Sequence, residues 1–125
     1  MLRQFLLLCS VDSFLEIEKK IPLFIKKARK FLTDFRKNNI LIFGHLAEGN
    51  LHYNISKPKT MSMSVFNKLH KKVNSNIFNL VYDLGGSFSA EHGIGLIKKK
   101  EFKRYTSKEE FIIKYNLKKL LDPNN

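Results

Sequence analysis

The chain has 125 residues, 43% hydrophobic and 12% aromatic, with eleven Phe: apolar enough for one modest core, too short for a second full domain, and too hydrophobic for disorder. Lys and Arg number 23 against 11 acidic residues, a formal net charge of +12. Most of the bases are Lys and they are spread over every segment, so they read as a solvated surface and no nucleic-acid partner is expected, with a basic nucleic-acid-binding module kept as an alternative.

The opening MLRQFLLLCS has one basic residue and an apolar run from Phe5 to Cys9. That run is too short for the core of a signal peptide or for a membrane span, and it reads as a strand entering the core. Cys9 is the only cysteine, which excludes an intrachain disulfide and points to a reducing, cytoplasmic compartment, with any membrane association made through a partner. Its side chain reads as a small buried hydrophobe.

From Ile21 to Phe35 the residues Ile21, Phe24, Ile25, Ala28, Phe31, Leu32 and Phe35 recur at intervals of three and four, the mark of an amphipathic helix. Pro22 suits its first turn and Asn38-Asn39 its end. ILIFG (40–44) then reads as a buried strand, and LHYNI (51–55) alternates as a second strand after a turn. Val65, Leu69, Val73, Ile77, Leu80, Val81 and Leu84 mark another long helix, capped by Thr60 or Ser62 and stopped by Gly85-Gly86. His70 falls off that stripe and reads as a solvated side chain.

SFSA (87–90) is expected to be a short strand running into EHGIG, whose Gly93 and Gly95 permit backbone conformations that other residues resist. KKKEFKRY reads as a basic loop. Ser107 and Glu110 have the spacing of a capping box, and Phe111, Ile112, Tyr115 and Leu120 give a final helix ended by Asp122-Pro123. The order β, α, β, β, α, β, α, without repeat or linker, predicts a single α+β domain over 1–125, its helices covering one face of a mostly antiparallel sheet.

The chemistry concentrates in two places. Alternation along an extended strand puts His52 and Asn54 on one face, with Leu51, Tyr53 and Ile55 on the other. His45 ends the preceding strand, and a Gly49-Asn50 turn folds it back beside His52. Two imidazoles with a carboxylate from Glu91 or Glu48 make a donor set for zinc or another divalent first-row ion; two half-exposed histidines near a loop satisfy the same spacing. At Glu91-His92, one residue can ligate a metal while its neighbour reaches toward a substrate, or the pair is a surface Glu and a turn His.

GHLAEGNLHYN (44–54), followed by GGSFSAEHGIGLIKKKEF (85–102), resembles the C-terminal, substrate-side domain of the FAD-linked oxidases that act on D-2-hydroxy acids: D-lactate dehydrogenase, D-2-hydroxyglutarate dehydrogenase and the flavin subunit of glycolate oxidase. VDSFLEIEKKIPLFIKKARKF (11–31) resembles the family's strand-then-helix, and LKKLLDPNN (117–125) its terminal LDP motif. The chain departs from the family at Ala47-Glu48, where Gly-Asp is common.

The resemblance implies that His45, His52 and Glu91 hold a divalent metal, zinc among the candidates, that Asn54 contacts substrate, and that His92 is the catalytic base. It further implies a metal acting as Lewis acid and template and a flavin accepting the hydride. The family's long FAD-binding region and its substrate-clamping basic residues have no counterpart here. The expectation is therefore a truncated substrate- and metal-binding fragment of an FAD-dependent oxidoreductase, needing a separately encoded FAD-binding chain and not turning over alone. A non-catalytic remnant of such a gene is the alternative.

Overall fold

The structure, a computed structural model, describes residues 2–8, 14–35, 39–87, 89, 93–96 and 98–124, with side chains from residue 19 onward. It is α+β, and forms two compact units, residues 1–93 and 94–125.

In the first unit, strand β1 (Leu2–Leu8), β2 (Ile40–His45) and β3 (Asn50–Ser56) form a three-stranded antiparallel sheet in the order β1-β3-β2. β3 is central. Its register places Tyr53 opposite Phe5 on one side and Ile42 on the other, and His52 opposite Leu6 and Phe43. Helix α1 (Phe14–Ala28) packs on the Tyr53 face, where Phe24 meets the Tyr53 ring edge-to-face at 5.7 Å. Both side chains are fully buried. A 3₁₀ turn, Arg29–Phe31, follows α1.

This helix begins seven residues earlier than the apolar spacing predicts, so Pro22 lies in its interior and not in its first turn. Residues 14–20 favour helix by composition, and Phe14 and Ile17, seven and four residues before Ile21, carry the stripe back over that stretch, a continuation that counting from Ile21 leaves out. Pro22 is exposed, so water can replace the backbone bond its ring removes. The helix also stops sooner than expected. The stripe nevertheless persists through the 3₁₀ turn and the turn after it, and Ile21, Phe24, Ala28, Leu32 and Phe35 are all buried. Asn38, expected to help close this helix, and Cys9 lie outside the described residues.

Helix α2 (Met63–Asp83) packs against α1 and the 3₁₀ turn. Of the two expected caps, Ser62 serves: the Val65 N–H donates to its Oγ at 3.3 Å. At the other end Gly85, at φ 70°, donates to the Tyr82 carbonyl and Gly86 to that of Val81, a paired closure that needs the left-handed residue glycine supplies. The buried stripe is Phe66, His70, Val73, Ile77, Leu80 and Val81, whereas Val65 is half exposed. His70 is therefore a core residue, not the solvated one its spacing from Val65 and Leu69 implied. Spacing counted from Phe66 puts it in phase, and its ring lies 5.7 Å from that of Phe66. Phe66 also meets Phe35 edge-to-face at 6.1 Å.

The second unit holds helices α3 (Lys99–Tyr105) and α4 (Lys108–Leu121). The expected basic loop is thus a helix. Lys, Glu, Phe and Arg carry no helix breaker, Glu101 lies in the first turn, and Lys103 and Arg104 lie in the last, matching the helix dipole. Ser107 caps α4 by accepting from the Glu110 N–H at 3.1 Å, while the Glu110 carboxylate pairs with Lys114. Phe102 packs on Phe111 at 6.1 Å and lies under the Lys114 ammonium. Burial lowers the pKa of Lys98, an effect that Glu101 opposes. The final helix marked by Phe111, Ile112, Tyr115 and Leu120 is present as α4, with Ile112, Tyr115 and Leu120 exposed. Among the described residues, no helix is long and apolar enough to cross a membrane.

Candidate functional site

The site is built on the β2–β3 hairpin. Its loop, residues 46–49, is a 3₁₀ turn (Leu46–Glu48) closed by Gly49 at φ 66°, whose N–H donates to the Leu46 carbonyl at 3.0 Å. Asn50 already belongs to the strand, opposite His45. The turn is therefore one residue earlier than the Gly49-Asn50 pair suggests, and the alternation expected for β3 is unaffected. Just before it, Gly44 lies so close to β3 that an added Cβ would stand 2.1 Å from the Asn50 carbonyl oxygen. This position excludes any side chain for steric reasons, without a positive φ.

Directly opposed residues of an antiparallel pair share a face. His45 opposite Asn50, Phe43 opposite His52 and Leu41 opposite Asn54 therefore put all six on the face away from α1. His45 and His52 are diagonal neighbours, whose backbones usually stand about 7–8 Å apart, within reach of long side chains. His45 is exposed, whereas His52 is 8% and Asn54 6% exposed. The Phe43 ring covers part of His52: the two rings are stacked at 4.7 Å with an interplanar angle of 4°.

The Asn54 side-chain oxygen is buried without a hydrogen-bond partner among the described residues. An unsatisfied buried acceptor costs about 1–3 kcal/mol, so this atom is suited to a donor or a cation brought by a ligand. On the opposite face, burial raises the Tyr53 phenol pKa to about 12, against the lowering effect of Arg29. Its hydroxyl also lacks a partner among the described residues.

Two imidazoles and an amide oxygen on one face suit a borderline divalent ion. They do not complete a site by themselves: among the described residues no three His, Cys, Asp or Glu side chains are grouped to hold a metal. Glu48, one of the two carboxylates considered, is exposed on the hairpin loop and joins no such group.

Glu91 and His92 lie outside the described residues, as do Phe88 and Ala90 of the strand expected at 87–90; Ser87 forms an isolated bridge. On either side of them, the Ser89 hydroxyl donates to the Gly93 carbonyl at 2.6 Å and the Ser89 N–H to Ser87 Oγ at 3.2 Å. Gly93 and Gly95 both have positive φ, as their place in EHGIG suggests.

Residues 18–125 match the family described as FAD linked oxidases, C-terminal domain. The chain belongs to this family. It is 34% identical over 105 residues to the D-2-hydroxyglutarate dehydrogenase of Xanthomonas citri pv. viticola, a match covering 83% of this chain and 22% of that protein. It is 35% identical over 106 residues to the enzyme of the same name from Stutzerimonas stutzeri, covering 84% of this chain and 23% of the relative. A D-lactate dehydrogenase of Archaeoglobus fulgidus is 29% identical over 86 residues, 69% of this chain and 18% of its own length. The chain thus spans about a fifth of the length of these relatives and lies within a family of FAD-linked oxidoreductases that includes D-2-hydroxy-acid dehydrogenases.

Neither Phe43 nor Gly44 stands out by residue type as part of a site. Pairing the hairpin outward from His45 and Asn50 would have set Phe43 against His52 and Gly44 against Leu51, so the signal was register, not residue type.

Proposed function

We propose that this chain supplies the substrate- and metal-binding face of an FAD-dependent oxidoreductase that converts a D-2-hydroxy acid to the 2-oxo acid. The observation that carries the reading is the shared face of His45, His52 and Asn54, with its unsatisfied amide oxygen, in a member of this family. In this reading His45, His52 and Glu91 hold a divalent ion, and zinc suits their donor atoms. FAD is held mainly by polypeptide outside these 125 residues.

Each residue then has a distinct task. His45 and His52 would hold the ion from the shared hairpin face together with Glu91. Asn54 orients a bound 2-hydroxy acid through its amide, satisfying an oxygen that is otherwise buried without a donor. His92, next to a ligand but not itself one, removes the proton of the 2-hydroxyl as general base, which requires reach to that oxygen of about 2.6–3.2 Å. When bound, the ion supplies Lewis acidity and the flavin accepts the hydride.

Metal content is the direct test. Purified protein should carry about one zinc per chain, and His52→Ala should lose most of it, since one of three protein ligands is removed. Equal metal in wild type and His52→Ala, at equal secondary structure by circular dichroism, would remove the ligand assignment.

A further inference from the structure

We propose that Phe43 is a positioning residue for His52, holding the imidazole in one plane so that it meets a divalent ion edge-on from a fixed direction. The inference rests on the ligand role given to His52 above.

Phe43 is not a core residue of the ordinary kind. Phe24 and Phe66 are fully buried, whereas Phe43 is 49% exposed, so half of a large apolar ring stands in water. The covered half includes the face laid on His52, at 4.7 Å and 4°. The two residues are opposed partners across β2 and β3, so the contact is built into the hairpin register.

A flat stack has a specific consequence for an imidazole. Its nitrogen lone pairs lie in the ring plane, so a phenyl ring laid on one face does not itself cover the ligating edge. The torsion that turns an imidazole about its Cβ–Cγ bond has a broad profile when unconstrained. With Phe43 against one face, rotation would drive a ring edge into the phenyl ring, and the range of orientations narrows. Apolar bulk alone does not reproduce this, because a branched aliphatic side chain offers no flat surface. The ring, not hydrophobicity, is the required feature at residue 43.

The test compares wild type with Phe43→Leu, which keeps apolar bulk, and Phe43→Tyr, which keeps the ring. Two quantities are measured on the 125-residue chain: the chemical shifts of the His52 ring protons without metal, and the Zn²⁺ dissociation constant by calorimetry. Wild type and Phe43→Tyr should show upfield ring-current shifts at His52 and similar Zn²⁺ affinity. Phe43→Leu should lose the shifts and bind Zn²⁺ roughly 3- to 10-fold more weakly, a loss scaled to an aromatic pair. Wild-type affinity in Phe43→Leu, or equal weakening in both variants, would overturn the proposal. Should Phe43→Leu fail to fold, unshifted His52 protons in wild type or weakened binding in Phe43→Tyr would overturn it equally. Absence of Zn²⁺ binding in wild type would defeat the ligand reading and, with it, Phe43's role toward an ion. The ring-current shifts separately reveal whether the stack forms.

Discussion

Replacing Gly44 with Ala should disrupt the hairpin on which the site is built. The new Cβ would stand 2.1 Å from the Asn50 carbonyl oxygen and 3.0 Å from both the Asn50 carbonyl carbon and Leu51 Cα. All three are backbone atoms, so no side-chain rotation relieves the contact. A carbon normally approaches a carbonyl oxygen no closer than about 3.3 Å, so β2 and β3 must separate locally by roughly 1 Å. Such a shift breaks one or two ladder hydrogen bonds, worth about 0.5–1.5 kcal/mol each. Backbone strain from overpacking adds about 1–3 kcal/mol. The expected loss is therefore about 1.5–6 kcal/mol, a large share of the roughly 5–15 kcal/mol that holds a domain together. Gly85→Ala provides the comparison: at φ 70°, with only the Lys20 ammonium within 4 Å among the described residues, it meets a conformational penalty of about 1–2 kcal/mol and little steric conflict. Urea unfolding followed by circular dichroism measures both. A Gly44→Ala loss below about 0.5 kcal/mol, the range of an inconsequential surface change, would refute the close-approach argument.

Three other outcomes follow. The Tyr53 phenol has its pKa raised from 10.0 to about 12, so folding favours its neutral form. The resulting stability is complete below pH 10 and falls as pH rises through about 12; pH-dependent unfolding of wild type and Tyr53→Phe should therefore diverge in that window. At neutral pH Tyr53→Phe should be as stable as wild type or slightly more so, because the hydroxyl it removes is buried without a partner among the described residues, and a loss above about 1 kcal/mol by urea unfolding would contradict that. Ser62→Ala removes the cap accepting from Val65 N–H and should cost about 0.5–2 kcal/mol in the same measurement, with Ser62→Asp recovering most of it.

Much of the fold was legible because hydrophobic period and turn chemistry agree. The strands at 40–44 and 51–55, the stop at Gly85-Gly86 and the Ser107 cap all follow from local pattern. Errors arose where a pattern had two possible phases. The α2 stripe read from Val65 left His70 outside, whereas the helix buries the stripe that begins at Phe66. The KKKEFKRY segment was read by charge, although seven residues without a breaker, carrying Phe102 to pack on Phe111, suffice for a short helix. At the site, strand alternation was enough to put His52 and Asn54 on one face, and the hairpin was enough to bring His45 to it. The opposition of Phe43 and His52 lies in the register between strands and not in the periodicity within either one, so it emerges only when the hairpin is paired outward from His45 and Asn50.

The reading of this chain as the working face of a D-2-hydroxy-acid dehydrogenase is tested most directly by anaerobic flavin reduction in a complex reconstituted with an FAD-binding partner polypeptide. Wild type should reduce the flavin when given D-2-hydroxyglutarate or D-lactate. Glu91→Gln should lose zinc and reduction together, because a neutral amide is a poorer ligand than a carboxylate. His92→Ala should keep its zinc and lose on the order of 10²- to 10⁴-fold in rate, the usual contribution of a positioned general base. Reduction at the wild-type rate by His92→Ala, or loss of its metal as complete as in Glu91→Gln, would contradict the account.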